Sequence, residues 1–353
     1  MPVTIYEVAE KAGVGIGTVS RVLNDSPQIS PATRAKVLKV IKQLNFQPHA
    51  LAQGLARRKT HTIGVIVPFF TGYFYVELLR GIQQALSENK FDLILYGVDD
   101  LHKKDSCFKR VLQQRRVDGV LLLSMHLAEP FALEFERLQM PLVLVDAFHP
   151  AFDSITVNNE EGAYQAVRHL ISLGHRKIAI VNGHLESVPA QERLSGYKRA
   201  LAEAGLTALP QYLMTSDGLQ NGATMSNDGF NKETGYRAMH ELLLLNGSRP
   251  EAIFAASDIQ AIGVISAVRE RGLRIPEDLA IVGFDDIELA ELVGLTTMRQ
   301  PIREMGNLAV QRLLAQINGD SESAKIHHRF NTKLIVRTTS GAPPHECKSS
   351  FKI

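Results

Sequence analysis

The chain has 353 residues and a formal net charge of +2, and 45% of its residues are hydrophobic and 22% charged. This composition is typical of two or three globular domains and excludes a collagen, a disordered protein and a disulfide scaffold. The apolar runs are far shorter than the ~18 residues of a membrane span, no signal-peptide pattern opens the chain, and two cysteines fit a reducing compartment. We therefore expect a cytoplasmic protein without membrane contact.

Charge is distributed unevenly along the chain. Residues 1–60 contain nine Lys or Arg and three acidic residues, a net +6, whereas the remainder carries a net −4. A basic segment ahead of a mildly acidic body indicates a polyanion-binding module attached to a domain with another task. A solvated basic surface is the alternative interpretation.

Three short helices are predicted ahead of residue 48. Thr4 and Glu7 have the spacing of a capping box for the first helix, which ends near Gly13. A second helix is predicted from about Ile16 to Leu23, and a third begins at Ser30-Pro31, an N-cap followed by an N1 proline. The first two helices predict a helix-turn-helix, with a purely structural helical hairpin as the alternative.

The second helix of this pair presents small and polar residues outward. Hydroxyl groups suit DNA phosphates, and an arginine suits the guanine edge in the major groove. The outward residues are Ile16, Gly17, Thr18, Ser20 and Arg21.

Residues 48–59 form a candidate short helix between two domains. Leu51 and Leu55 are four residues apart and share a face, while Gly54 inside so short a helix makes it marginal on its own. A plain linker whose leucines dock on a neighbour is the alternative.

From Thr62 the pattern changes to apolar strands that alternate with amphipathic helices, which predicts doubly wound parallel sheets. About 280 residues is too long for one such sheet, and the polar segment Asp153–Glu161 is a candidate crossover to a second one. Asp217–Asn231, rich in Gly, Asn and Ser, is a predicted exposed loop. Residues 341–353 are predicted to be a disordered tail.

Several short motifs then follow one another in a specific order. They are Thr62-Ile-Gly-Val-Ile-Val-Pro68, Val117-Asp-Gly-Val120, Arg193-Leu-Ser-Gly-Tyr197, Gly283-Phe-Asp-Asp286 and Gln300-Pro301. Together with the helix-turn-helix segment, they resemble the LacI/GalR family of bacterial transcription repressors over about residues 3–340.

The resemblance implies a domain organisation. An all-α helix-turn-helix head would occupy residues 1–47, a hinge helix and linker residues 48–60, and an α/β core residues 61–340. The core would consist of two doubly wound subdomains similar to periplasmic binding proteins, joined by three chain crossovers. The implied N-subdomain is about 61–160 plus 290–325, and the C-subdomain is about 161–289 plus 326–340.

The resemblance also implies which residues contact DNA. Ile16, Gly17 and Arg21 match the positions that read the major groove, and Leu55 matches the hinge leucine that wedges into the minor groove. Gly17 has no side chain to read a base, and Gly54 replaces a common serine. The expected DNA contacts are Thr4, Ile16, Gly17, Thr18, Ser20, Arg21, Asn24, Leu51, Leu55 and Arg57.

An effector site is implied in the same way, at the carboxyl ends of the core strands. Its expected residues are Phe74, Ser124, Asp146, Arg193, Phe230, Ser257 and Asp285. Two carboxylates and one guanidinium sum to about −1, which repels phosphates and acids and suits hydroxyls. A neutral mono- or disaccharide is the first expectation, and a nucleoside or purine is the second.

The sequence therefore predicts a homodimeric, effector-controlled regulator that binds pseudo-palindromic operator DNA, most simply a repressor of carbohydrate-uptake genes. We expect no enzymatic activity, no cofactor and no metal site. The alternatives are a solute-binding protein of a transporter, a sugar-modifying α/β enzyme, and a regulator controlled by a nucleoside or by a phosphoprotein partner.

Overall fold

The structure is a computed structural model. It describes residues 3–23, 26–46, 60–68, 72–98, 104–114, 116–219, 226–245, 247–320 and 324–341. The chain forms two compact units, Met1–His61 and Thr62–Ile353, called the head and the core below. Within the described residues, no helix combines the length and the apolar character that a bilayer crossing requires.

The described part of the head contains three helices around a small apolar cluster. Thr4 and Glu7 form the predicted capping box, and Ser30 caps the third helix ahead of Pro31. The buried residues Val8, Val19 and Val37 come from one helix each and pack together. The helices are α1 (Ile5–Ala12), α2 (Ile16–Leu23) and α3 (Pro31–Gln43).

The core contains two six-stranded sheets, each flanked by helices. The helices are α4 (Tyr73–Glu88), α5 (Lys104–Gln114), α6 (Glu129–Arg137), α7 (Asn159–Ser172), α8 (Val188–Glu203), α9 (Lys232–Leu243), α10 (Asp258–Glu270), α11 (Glu288–Leu292) and α12 (Ile302–Asn318). The strands are β1 (Thr62–Val67), β2 (Asp92–Gly97), β3 (Gly119–Leu123), β4 (Leu142–Val145), β5 (Asp153–Val157), β6 (Ile178–Asn182), β7 (Leu213–Thr215), β8 (Ala252–Ala255), β9 (Ala280–Asp285), β10 (Thr296–Arg299), β11 (His327–Phe330) and β12 (Lys333–Ile335).

The strand orders are β11-β5-β4-β3-β1-β2 in the first sheet and β12-β10-β9-β8-β6-β7 in the second. Among the described strands, only β12, which pairs with β10, runs antiparallel to its neighbour. The central strands are buried on both faces because helices cover each sheet, which explains their near-continuous apolar sequences. The predicted fold class, a helical head with a two-sheet α/β core, is confirmed.

The chain crosses between the sheets three times. The first crossover lies at Asn158, between β5 and α7. The second and third lie at residues 300–301 and 331–332, later than the predicted boundaries at 290 and 326. The predicted boundaries are wrong because β10 pairs with β9 in the second sheet, and β11 pairs with β5 in the first.

The segment predicted as a polar crossover contains a strand. Asp153 is 2% exposed, and its carboxylate accepts hydrogen bonds from Arg312 Nε, Gln316 Nε2 and the Ile326 backbone N–H. Because these partners compensate the buried charge of Asp153, the polar segment can form strand β5 inside the core. Residues 47–59, which include the candidate hinge helix, and residues 342–353 of the predicted tail lie outside the described residues.

Glycines allow pairs of core helices to pack backbone to backbone. A Cβ at Gly235 of α9 would lie 2.0 Å from the Gln260 carbonyl oxygen of α10. At Gly81 of α4, a Cβ would lie 2.2 Å from the Arg303 carbonyl oxygen of α12. Neither contact leaves room for a methyl group, so each helix pair depends on its glycine.

We expect Gly235→Ala to lower the free energy of unfolding of the core by about 1–3 kcal/mol, because the methyl group must push two helix backbones apart. Gly218→Ala is the control, since a Cβ there would make only ordinary contacts, the nearest at 3.5 Å. Urea unfolding followed by circular dichroism compares the two. Equal stability of both variants would contradict the packing described.

Candidate functional site

The outer face of α2 exposes three of the five residues predicted to point outward, Ile16, Gly17 and Arg21. Ile16 is 40% exposed, Arg21 is exposed, and Val19 and Val22 are buried against the other head helices. A Cβ at Gly17 would meet nothing within 4 Å, so this part of the helix presents bare backbone. The predicted residues Thr18 and Ser20 are partly buried. The face can lie against a groove with an apolar and a cationic side chain directed outward.

Thr4 has a defined structural role at the start of α1. Its backbone N–H donates to Glu7 Oε2 at 2.6 Å, and its hydroxyl accepts from the Glu7 backbone N–H at 3.4 Å. Four predicted DNA contacts lie outside the described residues: Asn24, Leu51, Leu55 and Arg57.

A cavity of about 240 Å³ lies in the core at the carboxyl ends of the strands. All seven residues predicted for the effector site line it: Phe74, Ser124, Asp146, Arg193, Phe230, Ser257 and Asp285. The volume is slightly below the usual range for drug-sized ligands, which indicates a small ligand. These seven residues are up to 211 positions apart in sequence, from Phe74 to Asp285.

Ser124 and Asp146 follow two neighbouring strands, β3 and β4, of the first sheet. Both residues have left-handed backbone conformations, with φ of 47° and 54°. Such conformations are costly for residues with a Cβ and cluster at functional sites. Ser124 Oγ donates to Asp146 Oδ2 at 2.8 Å, and Ser124 is also hydrogen-bonded to the buried Tyr75 side chain. These contacts orient the Asp146 carboxylate.

Arg193 on α8 is 4% exposed, and the surrounding groups fix its guanidinium. Its Nε donates to Asn159 Oδ1 at 2.9 Å, and its Nη1 donates to the Ala256 carbonyl oxygen. The guanidinium carbon lies 3.9 Å from the centre of the Phe284 ring, and Nη1 lies 4.0 Å from Asp285 Oδ1. The arginine is therefore positioned before any ligand enters.

Asp285 at the end of β9 is 6% exposed and is held by Gln300 at the second crossover. Gln300 Nε2 donates to Asp285 Oδ1 at 2.6 Å. Behind them the fully buried Asp258 accepts from Thr297 Oγ1 at 2.6 Å and from the Ile287 backbone N–H at 2.9 Å. Asp258 therefore supports the loop after β9, while Asp285 faces the cavity.

Burial governs the ionisation of these carboxyl groups. It raises the pKa of Asp146 to about 6, although Arg193 and the Ser124 hydrogen bond act in the opposite direction. Burial also raises the pKa values of Asp258 and Asp285 above the ordinary carboxyl value. The pKa of Arg193 is lowered by the same loss of solvation. The cavity therefore contains buried charges that the protein compensates only in part, and a polar ligand can stabilise them.

The structure adds cavity residues that the sequence analysis did not select. Asp228, Asn231 and Ser187 line the second-sheet side, and Gln300 and Tyr75 complete the polar wall. Gln300 belongs to the Gln300-Pro301 motif, and Asp228 lies in the predicted loop Asp217–Asn231, so the sequence already indicated both segments. Asp228 brings a third carboxylate to the wall, which therefore sums to about −2.

Apolar side chains form the remaining wall. Phe74 lies on α4, beside the first sheet, and Phe230 lies just before α9, beside the second sheet. Ile259 and Ile287 line the same cavity. Such a mixed wall can cover the face of a small ring while the carboxylates accept hydrogen bonds from its edge. No group of three or more His, Cys, Asp or Glu residues suited to a metal ion occurs in the described part of the chain.

Comparison with known proteins gives a consistent result. Residues 4–49 match the family described as bacterial regulatory proteins, lacI family, and residues 167–340 match the periplasmic binding protein-like domain. The catabolite control protein A of Priestia megaterium is 36% identical over 345 residues, covering 96% of this chain and 100% of that protein. The ribose operon repressor of Escherichia coli (strain K12) is 37% identical over 319 residues, covering 89% of this chain and 93% of that protein.

Solved structures agree with this result. The lac repressor dimer bound to operator and the anti-inducer ONPF is similar with a TM-score of 0.80 at 29% identity. The similarity covers 96% of this chain and 99% of that chain.

The raised pKa of Asp146 predicts a pH-dependent stability. Above pH 6 the folded protein holds an ionised carboxylate in a partly buried position, whereas the unfolded chain ionises it near 3.8 at no such cost. We expect Asp146→Asn to raise the free energy of unfolding of the core by about 1–2 kcal/mol at pH 7.5, a value reduced for partial solvent exposure.

The gain should shrink as the pH falls from 6 towards 4, because the wild-type carboxyl becomes neutral as well. Urea unfolding at pH 5 and pH 7.5 measures it, with the exposed Asp92→Asn as the matched control. A gain of equal size at both pH values would contradict the assignment.

Proposed function

Because the chain belongs to the LacI family of bacterial regulatory proteins, we propose that it is a cytoplasmic transcription regulator whose binding to operator DNA is controlled by a small polyhydroxylated effector in the core cavity. The observation that supports this proposal is that the seven residues predicted for the effector site all line one cavity of the core, whereas the basic charge lies in the head.

The chemistry of the wall supports a carbohydrate. Carboxylates accept hydrogen bonds only and a guanidinium donates only, so a hydroxyl can donate to Asp146 or Asp285 and accept from Arg193. Phe74 and Phe230 would cover the apolar face of a sugar ring. One relative is named a ribose operon repressor, which supports the same ligand class. A nucleoside or purine is the second candidate.

The chemistry of the head supports DNA. Residues 1–60 carry a net +6, and α2 directs Ile16 and Arg21 outward. In a homodimer, each α2 would read one half-site of a pseudo-palindrome. Leu55, with Leu51 and Arg57 nearby in sequence, would contact the minor groove between the half-sites. The proposed role is binding rather than catalysis, so neither a cofactor nor a metal ion is invoked.

Replacing Arg21 tests the DNA face. We expect Arg21→Ala to cost about 1–3 kcal/mol of operator affinity if the guanidinium reads a base, and to relax specificity at that position. Fluorescence anisotropy with the upstream region of the protein's own operon measures this at two salt concentrations. Lys42→Ala on α3 removes the same charge from the same unit and serves as the control. Equal losses for both variants at every sequence would exclude base reading by Arg21.

Replacing Asp285 tests the cavity. A panel of pentoses, hexoses and disaccharides first identifies a sugar that changes the operator affinity of the wild-type protein. The operator affinity of each variant is then measured with and without that sugar. We expect Asp285→Asn to bring the ratio of the two affinities close to 1, because the ligand loses a charged acceptor beside Arg193. Asp92→Asn, on the exposed edge strand β2, should keep the wild-type ratio. A normal response in Asp285→Asn would show that the effector binds elsewhere.

A further inference from the structure

Among the described residues that line the cavity, Arg193 is the one cation, and it already has partners inside the protein. Arg193 donates to Asn159 Oδ1 and to the Ala256 carbonyl oxygen, and it lies 4.0 Å from Asp285 Oδ1. Its charge is therefore partly balanced by Asp285, and part of its donor capacity is used inside the protein. A ligand therefore meets an arginine whose charge is already partly compensated and whose remaining N–H donors are fixed in place.

Two further carboxylates line the same cavity without an ion pair among the described residues, although Arg193 acts electrostatically on one of them and His184 and Lys104 act on the other. Asp146 is hydrogen-bonded to Ser124, and neither Asp146 nor Asp228 forms an ion pair with any described residue. Both pKa values are raised by burial, and the charge of Asp228 raises that of Asp146 further. Both residues line the same cavity.

A third acceptor is buried beside them. Gln300 is 4% exposed, and its Nε2 donates to Asp285, which fixes the amide so that Oε1 points away from that carboxylate. Gln300 Oε1 is buried and has no hydrogen-bond partner among the described residues. A buried acceptor without a donor is costly, so a donor from the ligand would stabilise it.

We propose that the effector is a small sugar that carries a protonated amine, an amino sugar, whose ammonium group is received between Asp228 and Asp146. An ammonium brings one positive charge and three donors without any acceptor, which matches both the excess negative charge and the excess of acceptors. A hydroxyl brings a single donor and no charge. An amino acid does not fit, because its carboxylate would meet two carboxylates and an arginine that is already paired.

This inference rests on the proposed effector role of the cavity, and matched ligand pairs test it separately. Calorimetry at pH 7 compares D-glucosamine, D-galactosamine and D-mannosamine with D-glucose, D-galactose and D-mannose, and with the uncharged N-acetyl derivatives. We expect at least one amine to bind about tenfold or more tightly than its neutral parent and its N-acetyl derivative, since a charge-assisted hydrogen bond replaces a neutral one.

A charge-removing variant locates the amine. Asp228→Asn should reduce the amine-to-parent affinity ratio towards 1, whereas Glu186→Gln should keep it. Glu186 is exposed and does not line the cavity, yet its charge is close enough to raise the pKa of Asp228. It therefore controls for a general electrostatic effect.

The outcomes separate the two claims. A panel in which no amine binds more tightly than its neutral parent overturns the inference, and so does an unchanged ratio in Asp228→Asn. If a neutral hexose binds as tightly and changes operator affinity, the proposed function survives without the amine. If an amine binds as expected but operator affinity does not respond to any sugar, the proposed function fails instead.

Discussion

A guanidinium buried between the two sheets constrains the rest of the core. Arg193 is 4% exposed, and a charge in that position is tolerated only if neighbouring groups replace its water. Asn159, the Ala256 carbonyl, the Phe284 ring and Asp285 do so, and each comes from a different segment. Part of the acidity of the cavity thus follows from the arginine, because Asp285, which compensates its charge, also faces the open space.

The residues that contact Arg193 and Asp285 also lie at the chain crossovers. Asn159 begins α7 immediately after the first crossover, and Gln300, which holds Asp285, stands at the second. Near the third crossover, Arg329 Nη2 on β11 lies 3.3 Å from Glu192 Oε1. The other oxygen of this carboxylate accepts a hydrogen bond from Asn159 Nδ2. A ligand that repositions Arg193 or Asp285 therefore acts directly on the segments that join the two sheets.

Much of this arrangement was predictable, and the exceptions have physical causes. The buried strands were found because helices on both faces require continuous apolar sequence, and the seven cavity residues were expected because the family resemblance implies them. β5 was missed because the partners that compensate Asp153 come from residues more than 150 positions away. Asp228 was missed because it lines the cavity together with residues that are far away in sequence, such as Asp146, and no local pattern encodes that proximity.

The glycine contacts between helices have a mechanical consequence. α4 begins at the cavity with Tyr73, Phe74 and Tyr75, and it is locked at Gly81 to α12, which starts directly after the crossover that carries Gln300. Two backbones in direct contact cannot slide past each other without separating. The sixteen residues of α4, about 24 Å of helix, therefore form one rigid body with α12. A displacement of α4 at its ligand-contacting end would therefore move the whole helix, and α12 would move with it.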